Sequence, residues 1–210
     1  MGVNIGKNRD TPLEDAADEY VKILKILYPY GDYFVVNLSS PNTPGLTDLQ
    51  EKSFLAPLLG KVRDARINAS SRAPGHLRPL LLKISPDLTQ GAMKFAVDAA
   101  LEAGFDGVIA ANTSRRRDFP GIAVSDKKHL AQEGGLSGAP LREEAFELVA
   151  RIRGWMGPKP ILISVGGLGG PDDAIRRMAA GATLLQAYTS FVFEGPFYPR
   201  RIARAFRSQI

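Results

Sequence analysis

The most constraining feature of this sequence is a short run of aliphatic residues followed by a helical segment, which recurs six times along 210 residues. The aliphatic runs begin near residues 3, 33, 80, 107, 161 and 184. Strands that alternate with helices in this way form parallel sheets, because the connection between two parallel strands must cross back over the sheet. The sequence therefore predicts an α/β fold on a six-stranded parallel sheet, as a single domain over residues 1–210.

Amide and hydroxyl side chains follow two of the predicted strands at the points where they end. The strand at 33–36 runs into a polar cluster at 37–43, and the strand at 107–111 runs into another at 112–114. In barrels and open sheets of parallel strands, ligands bind at the carboxyl ends of the strands. Asparagine, serine and proline are also common in turns, so either cluster alone would be explained by chain reversal. Their recurrence favours a ligand-binding site.

A lysine interrupts the third predicted strand, Leu80–Ile84. An ammonium group is costly to bury unless another group balances its charge. Two interpretations therefore stay open: Lys83 extends from the strand end into solvent, or it holds a positive charge for a ligand.

Glycine-rich turns occur at 134–138 and 166–170. Eight-stranded βα barrels commonly bind phosphate in the loops after their last strands, where backbone N–H groups and a helix N-terminus face the anion. A Rossmann fold would instead place a GxGxxG motif after the first strand, and this sequence has none there. The pattern favours a phosphate-binding barrel, of which this chain would supply six strands.

Composition excludes several classes of site. The chain has no cysteine, which rules out a disulfide scaffold, a thiolate nucleophile and a cysteine metal site. With only His76 and His129, no metal site built on histidine is expected either. Basic clusters at 115–117 and 200–201 contribute to a net charge of +5, but no nucleic-acid-binding module is recognisable. No apolar run approaches the roughly 20 residues that span a bilayer, so the sequence predicts a soluble chain.

Two local patterns predict where helices begin. The segment Thr11–Glu14 has the capping-box pattern, with a proline at the first helical position, and predicts a helix start there. Asp87 and Thr89 are predicted to cap the helix after the third strand. Residues 115–133 show no strong periodicity and are long for a connection, which indicates a lid or an insertion.

Seven motifs, in order along the chain, together carry a resemblance to a known family. They are GVNIGKN at 2–8, NLSSPNTPGL at 37–46, LLKISPDL at 81–88, ANTS at 111–114, EGGLSGAPL at 133–141, SVGGL at 164–168 and QAYTSFVFEGP at 186–196. This series resembles the quinone-dependent dihydroorotate dehydrogenases. The resemblance implies an FMN-binding (β/α)8 TIM barrel, with about six of its strands in this chain. It further implies oxidation of dihydroorotate to orotate, with quinone as electron acceptor, in the biosynthesis of pyrimidines (UMP).

By this resemblance, Ser40 is the catalytic base that removes a proton from the substrate. A serine hydroxyl is a weak base at neutral pH, so it would act in a closed, dry site with its proton passed onward. The related quinone-independent class has cysteine at this position. Serine here, in a chain without cysteine, therefore indicates the quinone-dependent class.

The resemblance also assigns binding residues. The substrate-binding positions are Asn37, Asn42, Asn112 and Thr113. The flavin-binding positions are Asn4, Asn37, Lys83, Ala111, Gly138, Gly167, Tyr188 and Thr189. Lys83 would place positive charge near N1 and O2 of the flavin. Ala111 departs from the family, which commonly has threonine there, and this leaves only a backbone contact.

Other parts of the family pattern have no match in this sequence. In the family, two further barrel strands precede these motifs, and an N-terminal helical pair forms a membrane-facing quinone tunnel. Those helices place the family at the surface of an energy-transducing membrane, either the bacterial cytoplasmic or the mitochondrial inner membrane. We therefore expect the activity of this chain to depend on a preceding segment, and its open barrel edges to permit self-association.

Two alternatives stay open beside this resemblance. A different phosphate-binding βα barrel, such as a phosphosugar isomerase, would explain the glycine turns but not Ser40, Asn42 or Lys83. A non-catalytic remnant would instead bind FMN or a partner chain through its open edge. Absence of bound flavin would favour the isomerase, and flavin without turnover in a longer chain would favour the remnant.

Overall fold

The computed structural model describes residues 1–40, 52–72, 75–120, 122 and 129–207. The strands are β1 (Gly2–Ile5), β2 (Tyr33–Asn37), β3 (Leu80–Lys83), β4 (Gly107–Ala110), β5 (Ile161–Val165) and β6 (Leu184–Gln186). The α-helices in these ranges are α1 (Ala16–Leu27), α2 (Lys52–Ser70), α3 (Gln90–Glu102), α4 (Arg142–Met156), α5 (Pro171–Ala179), α6 (Thr189–Glu194) and α7 (Tyr198–Arg207). Among the described residues, no helix is both long and apolar enough to cross a membrane.

The strands form one parallel sheet, and their order across the sheet, β1 to β6, is their order along the chain. The sheet curls into a half-barrel with β1 and β6 at its edges. The predicted α/β fold with six parallel strands is therefore confirmed. Because parallel neighbours run in the same direction, the residues that follow the strands meet along one rim of the half-barrel.

Alternation along the strands divides their side chains between two faces of the sheet. On the convex face, Phe34, Leu82 and Val108 are fully buried against the helices. The concave face carries a smaller apolar cluster, at most 3% exposed, made of Val35, Leu81, Ile109 and Ile163. Asn37 and Lys83 lie two residues beyond Val35 and Leu81, and therefore on the same concave face. The register of β2 and β3 pairs them with each other. The sheet thereby brings an amide and a cation together at the rim.

The predicted helix start at Thr11 is wrong, because α1 begins at Ala16. The Thr11 carbonyl oxygen instead accepts a hydrogen bond from the buried ammonium group of Lys7, with Nζ 2.6 Å away. The segment before α1 forms turns, in which the Asp15 N–H donates to the Pro12 carbonyl oxygen at 3.2 Å. A contact from outside the segment thus overrides its local capping pattern.

The prediction for the start of α3 is confirmed in one of its two residues. Thr89 caps the helix, since its Oγ1 accepts a hydrogen bond from the Ala92 N–H at 3.3 Å. The Asp87 carboxylate instead accepts a hydrogen bond from the Arg115 N–H at 2.7 Å. Asp87 therefore links the loop after β3 to the loop after β4.

Candidate functional site

A cavity of about 370 Å³ lies at the rim, where β3 to β6 end. It is lined by eight residues that the sequence predicts to bind ligands, namely Lys83, Ala111, Asn112, Thr113, Gly138, Gly167, Tyr188 and Thr189. Further lining residues, not predicted as contacts, include Ser137, Gly166 and Leu168. The volume falls in the range of small-molecule and cofactor sites, about 300–1,000 Å³. The fold therefore gathers most of the predicted positions around one pocket of cofactor size.

Two glycine turns form one wall of this cavity. Gly167 has a φ of +62°, and a Cβ in its place would lie 2.5 Å from the Arg142 nitrogen and 2.9 Å from the Gly138 carbonyl oxygen. Gly138 has a φ of +83°, and a Cβ there would lie 3.1 Å from Thr189 Cγ2. Both positions favour glycine, because a side chain would strain the backbone and crowd its neighbours. The wall consequently presents backbone groups to a ligand.

Hydroxyl groups hold the end of β6 against both glycine turns. Thr189 Oγ1 donates a hydrogen bond to Ser137 Oγ at 2.9 Å, next to Gly138. The Ser190 hydroxyl, on α6, donates to the Leu168 carbonyl oxygen at 2.5 Å, next to Gly167. Tyr188 also lines the cavity, although 77% of its surface is exposed. The start of α6 is therefore fixed relative to the glycine wall.

Among the described residues that line the cavity, Lys83 is the single charged side chain and none is acidic. Within the described residues its ammonium group has no hydrogen-bond or ion-pair partner. Burial lowers the pKa of Lys83 below its ordinary value, because the charged form loses water. A partly buried cation without a protein partner is available to an anionic or electron-rich ligand. The structure thus favours the ligand interpretation over a lysine that extends into solvent.

A network of amides and a hydroxyl lies beside Lys83 and joins the ends of β2 and β4. Asn37 Oδ1 accepts hydrogen bonds from the Ser39 N–H at 3.1 Å and the Ser39 hydroxyl at 3.0 Å. Asn112 Nδ2 donates to Asn37 Oδ1 at 3.4 Å and to Ser39 Oγ at 3.1 Å. Since a backbone N–H only donates, the Asn37 oxygen must face Ser39. The Asn37 Nδ2 group, which finds no acceptor within the described residues, is left to a ligand.

Tyr20, on α1, fixes the backbone of Asn37 from the convex face. Its hydroxyl donates a hydrogen bond to the Asn37 carbonyl oxygen at 2.7 Å, and its side chain is fully buried. Burial raises the pKa of Tyr20 well above its ordinary value, so the hydroxyl stays protonated and keeps donating. The sequence did not indicate this role, because a tyrosine at helical spacing is also the pattern of an ordinary core residue.

The other predicted residues that the structure describes do not line the cavity. Ser40 is half-buried and follows the end of β2 by three positions. Asn4 is exposed on β1, where its register partner is Val35 of the concave cluster. Asn42 lies outside the described residues. The structure therefore joins Asn37 to the cavity through Asn112 and leaves Asn4 at the edge of the sheet.

Arg117 connects the loop after β4 with the glycine turn that carries Gly138. Its guanidinium donates hydrogen bonds to the carbonyl oxygens of Ser114 at 3.1 Å, Leu130 at 2.9 Å and Gly134 at 2.7 Å. These bonds order the described part of the predicted lid, of which 121 and 123–128 lie outside the described residues. The sequence did not indicate this contact, because a basic cluster is usually a solvated surface.

Comparison with known proteins gives consistent matches. The sequence model of the dihydroorotate dehydrogenase family matches residues 1–210. The dihydroorotate dehydrogenase (quinone) of Kocuria rhizophila is 46% identical over 208 residues, which cover 99% of this chain and 56% of that protein. The enzyme of the same name from Thermus thermophilus is 46% identical over 204 residues, covering 96% and 54%. A crystal structure of DHODH from Eimeria tenella in complex with ferulenol superposes with a TM-score of 0.85 at 34% identity, covering 97% and 56%. The chain thus spans about half the length of the curated relatives it matches.

Proposed function

The chain belongs to the dihydroorotate dehydrogenase family, and we propose that it carries the flavin and substrate site with which such an enzyme oxidises dihydroorotate to orotate. Its relatives are named as quinone enzymes, and we propose that this protein also passes electrons to a quinone, in pyrimidine biosynthesis. One observation carries the proposal. Lys83, a cation without a protein partner in the described residues, lies beside the amide network of Asn37 and Asn112 at a glycine-walled cavity.

The residues present fit a bound FMN. The part of the cavity wall that the structure describes contains one cation, no carboxylate and two turns that favour glycine, a combination that suits a planar ring linked to a phosphate. The proposed flavin-binding residues are Asn4, Asn37, Lys83, Ala111, Gly138, Gly167, Tyr188 and Thr189. When bound, FMN accepts the hydride that dihydroorotate loses. Lys83 would supply the positive charge at the ring, and the glycine turns would hold the phosphate.

Substrate binding is proposed for Asn37, Asn42, Asn112 and Thr113. The Asn37 Nδ2 group is supported by the network that occupies its oxygen, so it donates without first having to reorient. Asn112 is held by the same network and by the Thr113 N–H, which donates to Asn112 Oδ1 at 2.9 Å. Amides arranged in this way suit a planar substrate with imide and carboxylate edges, because each amide carries both donor and acceptor groups.

Ser40 is proposed to accept the proton that leaves the carbon next to the substrate carbonyl. It follows Ser39, which is 1% exposed and bonded to Asn37, so a rigid neighbour restricts the position of Ser40. A serine hydroxyl has little basicity at neutral pH and requires a site closed to water with an onward path for its proton. The absence of cysteine from the chain favours this serine chemistry over a cysteine base.

Two further proposals concern the protein as a whole. A quinone is a lipid-soluble acceptor, so we propose that the protein works at the surface of an energy-transducing membrane. We also propose that residues 1–210 form a single, partial catalytic barrel domain, since one sheet carries every part of the site that is described.

The test is the visible absorption spectrum of the chain with FMN, before and after dihydroorotate is added without oxygen. We expect a bound flavin band, and we expect substrate to bleach it when the two preceding barrel strands of the family are supplied. Asn112→Ala should keep the band and lose the bleaching, because it removes a substrate amide but no proposed flavin contact. Asn68→Ala, an exposed asparagine on α2, is the matched control and should behave as the wild type.

The possible outcomes of this experiment separate the hypotheses. In the chain extended by those strands, flavin that binds but does not bleach would reduce the function to flavin binding. A chain that binds no flavin at all would contradict the assignment of the cavity to FMN.

A further inference from the structure

Arg177 is the largest fully buried side chain in the described residues, with 1% of its surface exposed. It lies on α5, behind the glycine turn that follows β5. Its guanidinium donates hydrogen bonds to Ser164 Oγ at 3.0 Å, to the Gly166 carbonyl oxygen at 2.6 Å and to the Arg142 carbonyl oxygen at 3.2 Å. The charge is therefore held by neutral groups at the back of the cavity wall.

The carboxylates near Arg177 are already paired with other arginines. Asp173, one turn earlier on α5, lies 3.1 Å from Arg142 Nε. Glu143 pairs with the exposed Arg176 at 3.1 Å. Within the described residues Arg177 itself forms no salt bridge. These three arginines and two carboxylates carry one surplus positive charge. The arginine that is not paired with either carboxylate is the buried Arg177.

A buried cation without a counter-ion costs free energy, which bonds to carbonyl groups offset only in part. The cost is evident at this position, because burial lowers the pKa of Arg177 below its ordinary value. A methionine of similar length would fill the same space without that cost. A negative charge brought into the adjacent cavity, which Gly166 and Gly167 line, would compensate it.

Arg177 also determines which way the peptide group between Gly166 and Gly167 points. In a trans peptide the C=O and N–H bonds point in opposite directions. Because the Gly166 oxygen is bonded to Arg177 behind the wall, the Gly167 N–H is directed to the opposite side. Both glycines line the cavity, so this N–H is oriented for an acceptor inside it.

We infer that Arg177 is a positioning residue for the phosphate of FMN, acting from behind the glycine wall through its charge and through the Gly166–Gly167 peptide. This inference rests on the proposed function, because it takes FMN as the occupant of the cavity. It predicts a specific dependence on the phosphate group, which riboflavin lacks and FMN carries.

The test compares the affinities of FMN and riboflavin by fluorescence titration at physiological salt, so that surface charges are screened. Arg177→Met should weaken FMN binding by about tenfold and riboflavin binding by less than about twofold. Arg177→Lys keeps the charge and should retain most of the preference for FMN. Arg176→Met, which removes the exposed neighbouring charge, is the matched control and should leave both affinities unchanged within about twofold.

An equal loss of FMN and riboflavin affinity in Arg177→Met would overturn the inference, because it would indicate a purely structural role. A second measurement needs no variant. Inorganic phosphate is titrated into the wild-type chain while the chemical shift of the Gly167 amide is followed by NMR. A titration with chloride at equal ionic strength is the control. A phosphate-dependent shift supports the inference, and a stationary signal overturns it. If that signal shifts while neither FMN nor riboflavin binds, the Gly166–Gly167 turn binds phosphate but the proposed flavin function fails.

Discussion

Replacing Gly167 by alanine tests the geometry of the cavity wall directly. The added Cβ would lie 2.5 Å from the Arg142 nitrogen and 2.6 Å from the Arg142 Cα, both of them backbone atoms at the start of α4. No side-chain rotation relieves such contacts, so the turn or the helix must shift. The φ of +62° adds the cost of a left-handed conformation for an L-residue.

The two effects give the expected magnitude. The left-handed conformation costs roughly 1–2 kcal/mol for alanine, and overpacking in a tight site typically costs about 1–3 kcal/mol. We therefore expect the free energy of unfolding to fall by about 2–5 kcal/mol. FMN affinity should fall as well, because the substitution displaces the turn that is proposed to hold the phosphate.

Urea denaturation measures this change as a lower midpoint at constant slope. Gly60→Ala and Gly154→Ala are matched controls, because both glycines lie inside helices with no atom within 4 Å of the added Cβ. Each control should stabilise the chain by about 0.5–1 kcal/mol. If Gly167→Ala changed stability by less than about 0.5 kcal/mol, below the range expected for such a collision, the close approach of the two backbones would be refuted.

Three further substitutions probe the network around the cavity. Lys83→Met should stabilise the flavin-free chain at pH 7 by about 1–2 kcal/mol and weaken FMN binding, since it removes a buried cation without a described partner. Because the Lys83 pKa is lowered on folding, the unfolded chain binds more protons at alkaline pH, so wild-type stability should rise with pH there relative to Lys83→Met in urea melts. In a chain extended by the preceding barrel strands, Ser40→Ala should keep bound FMN and slow its anaerobic bleaching by dihydroorotate at least about 100-fold, measured by stopped flow. Tyr20→Phe should lower the free energy of unfolding by about 1 kcal/mol, because the Asn37 carbonyl oxygen loses its donor.

The architecture was predictable because each strand pairs with its neighbour in chain order, so that no distant pairing had to be guessed. The cavity followed from the same pattern, since the carboxyl ends of parallel strands converge. That is why residues as far apart in sequence as Lys83, Asn112 and Gly167 line one pocket. The sequence pattern could not show which polar groups already have hydrogen-bond partners within the protein. The bonds that lock Asn37 and leave its Nδ2 group to a ligand depend on distances between side chains.

Contacts made in the folded chain account for the other features that the sequence did not predict. Arg176 and Arg177 are adjacent in sequence, yet one is paired at the surface and the other is buried. Only the rotation of α5 against the sheet decides between them. The capping pattern at Thr11 failed through a nearer contact, since the ammonium group of Lys7, four residues earlier, donates a hydrogen bond to its carbonyl oxygen. Local preferences predict an element well where no long side chain competes for its backbone groups.

The chain-order arrangement of the strands also bears on how the site is acquired during synthesis. Because every strand pairs with the one before it, each strand–helix unit can dock soon after it leaves the ribosome. The amides that follow β2 and β4 are then in place before β6 and α6 supply the last wall of the cavity. Capture of the flavin would therefore wait until β6 and α6 have been synthesised.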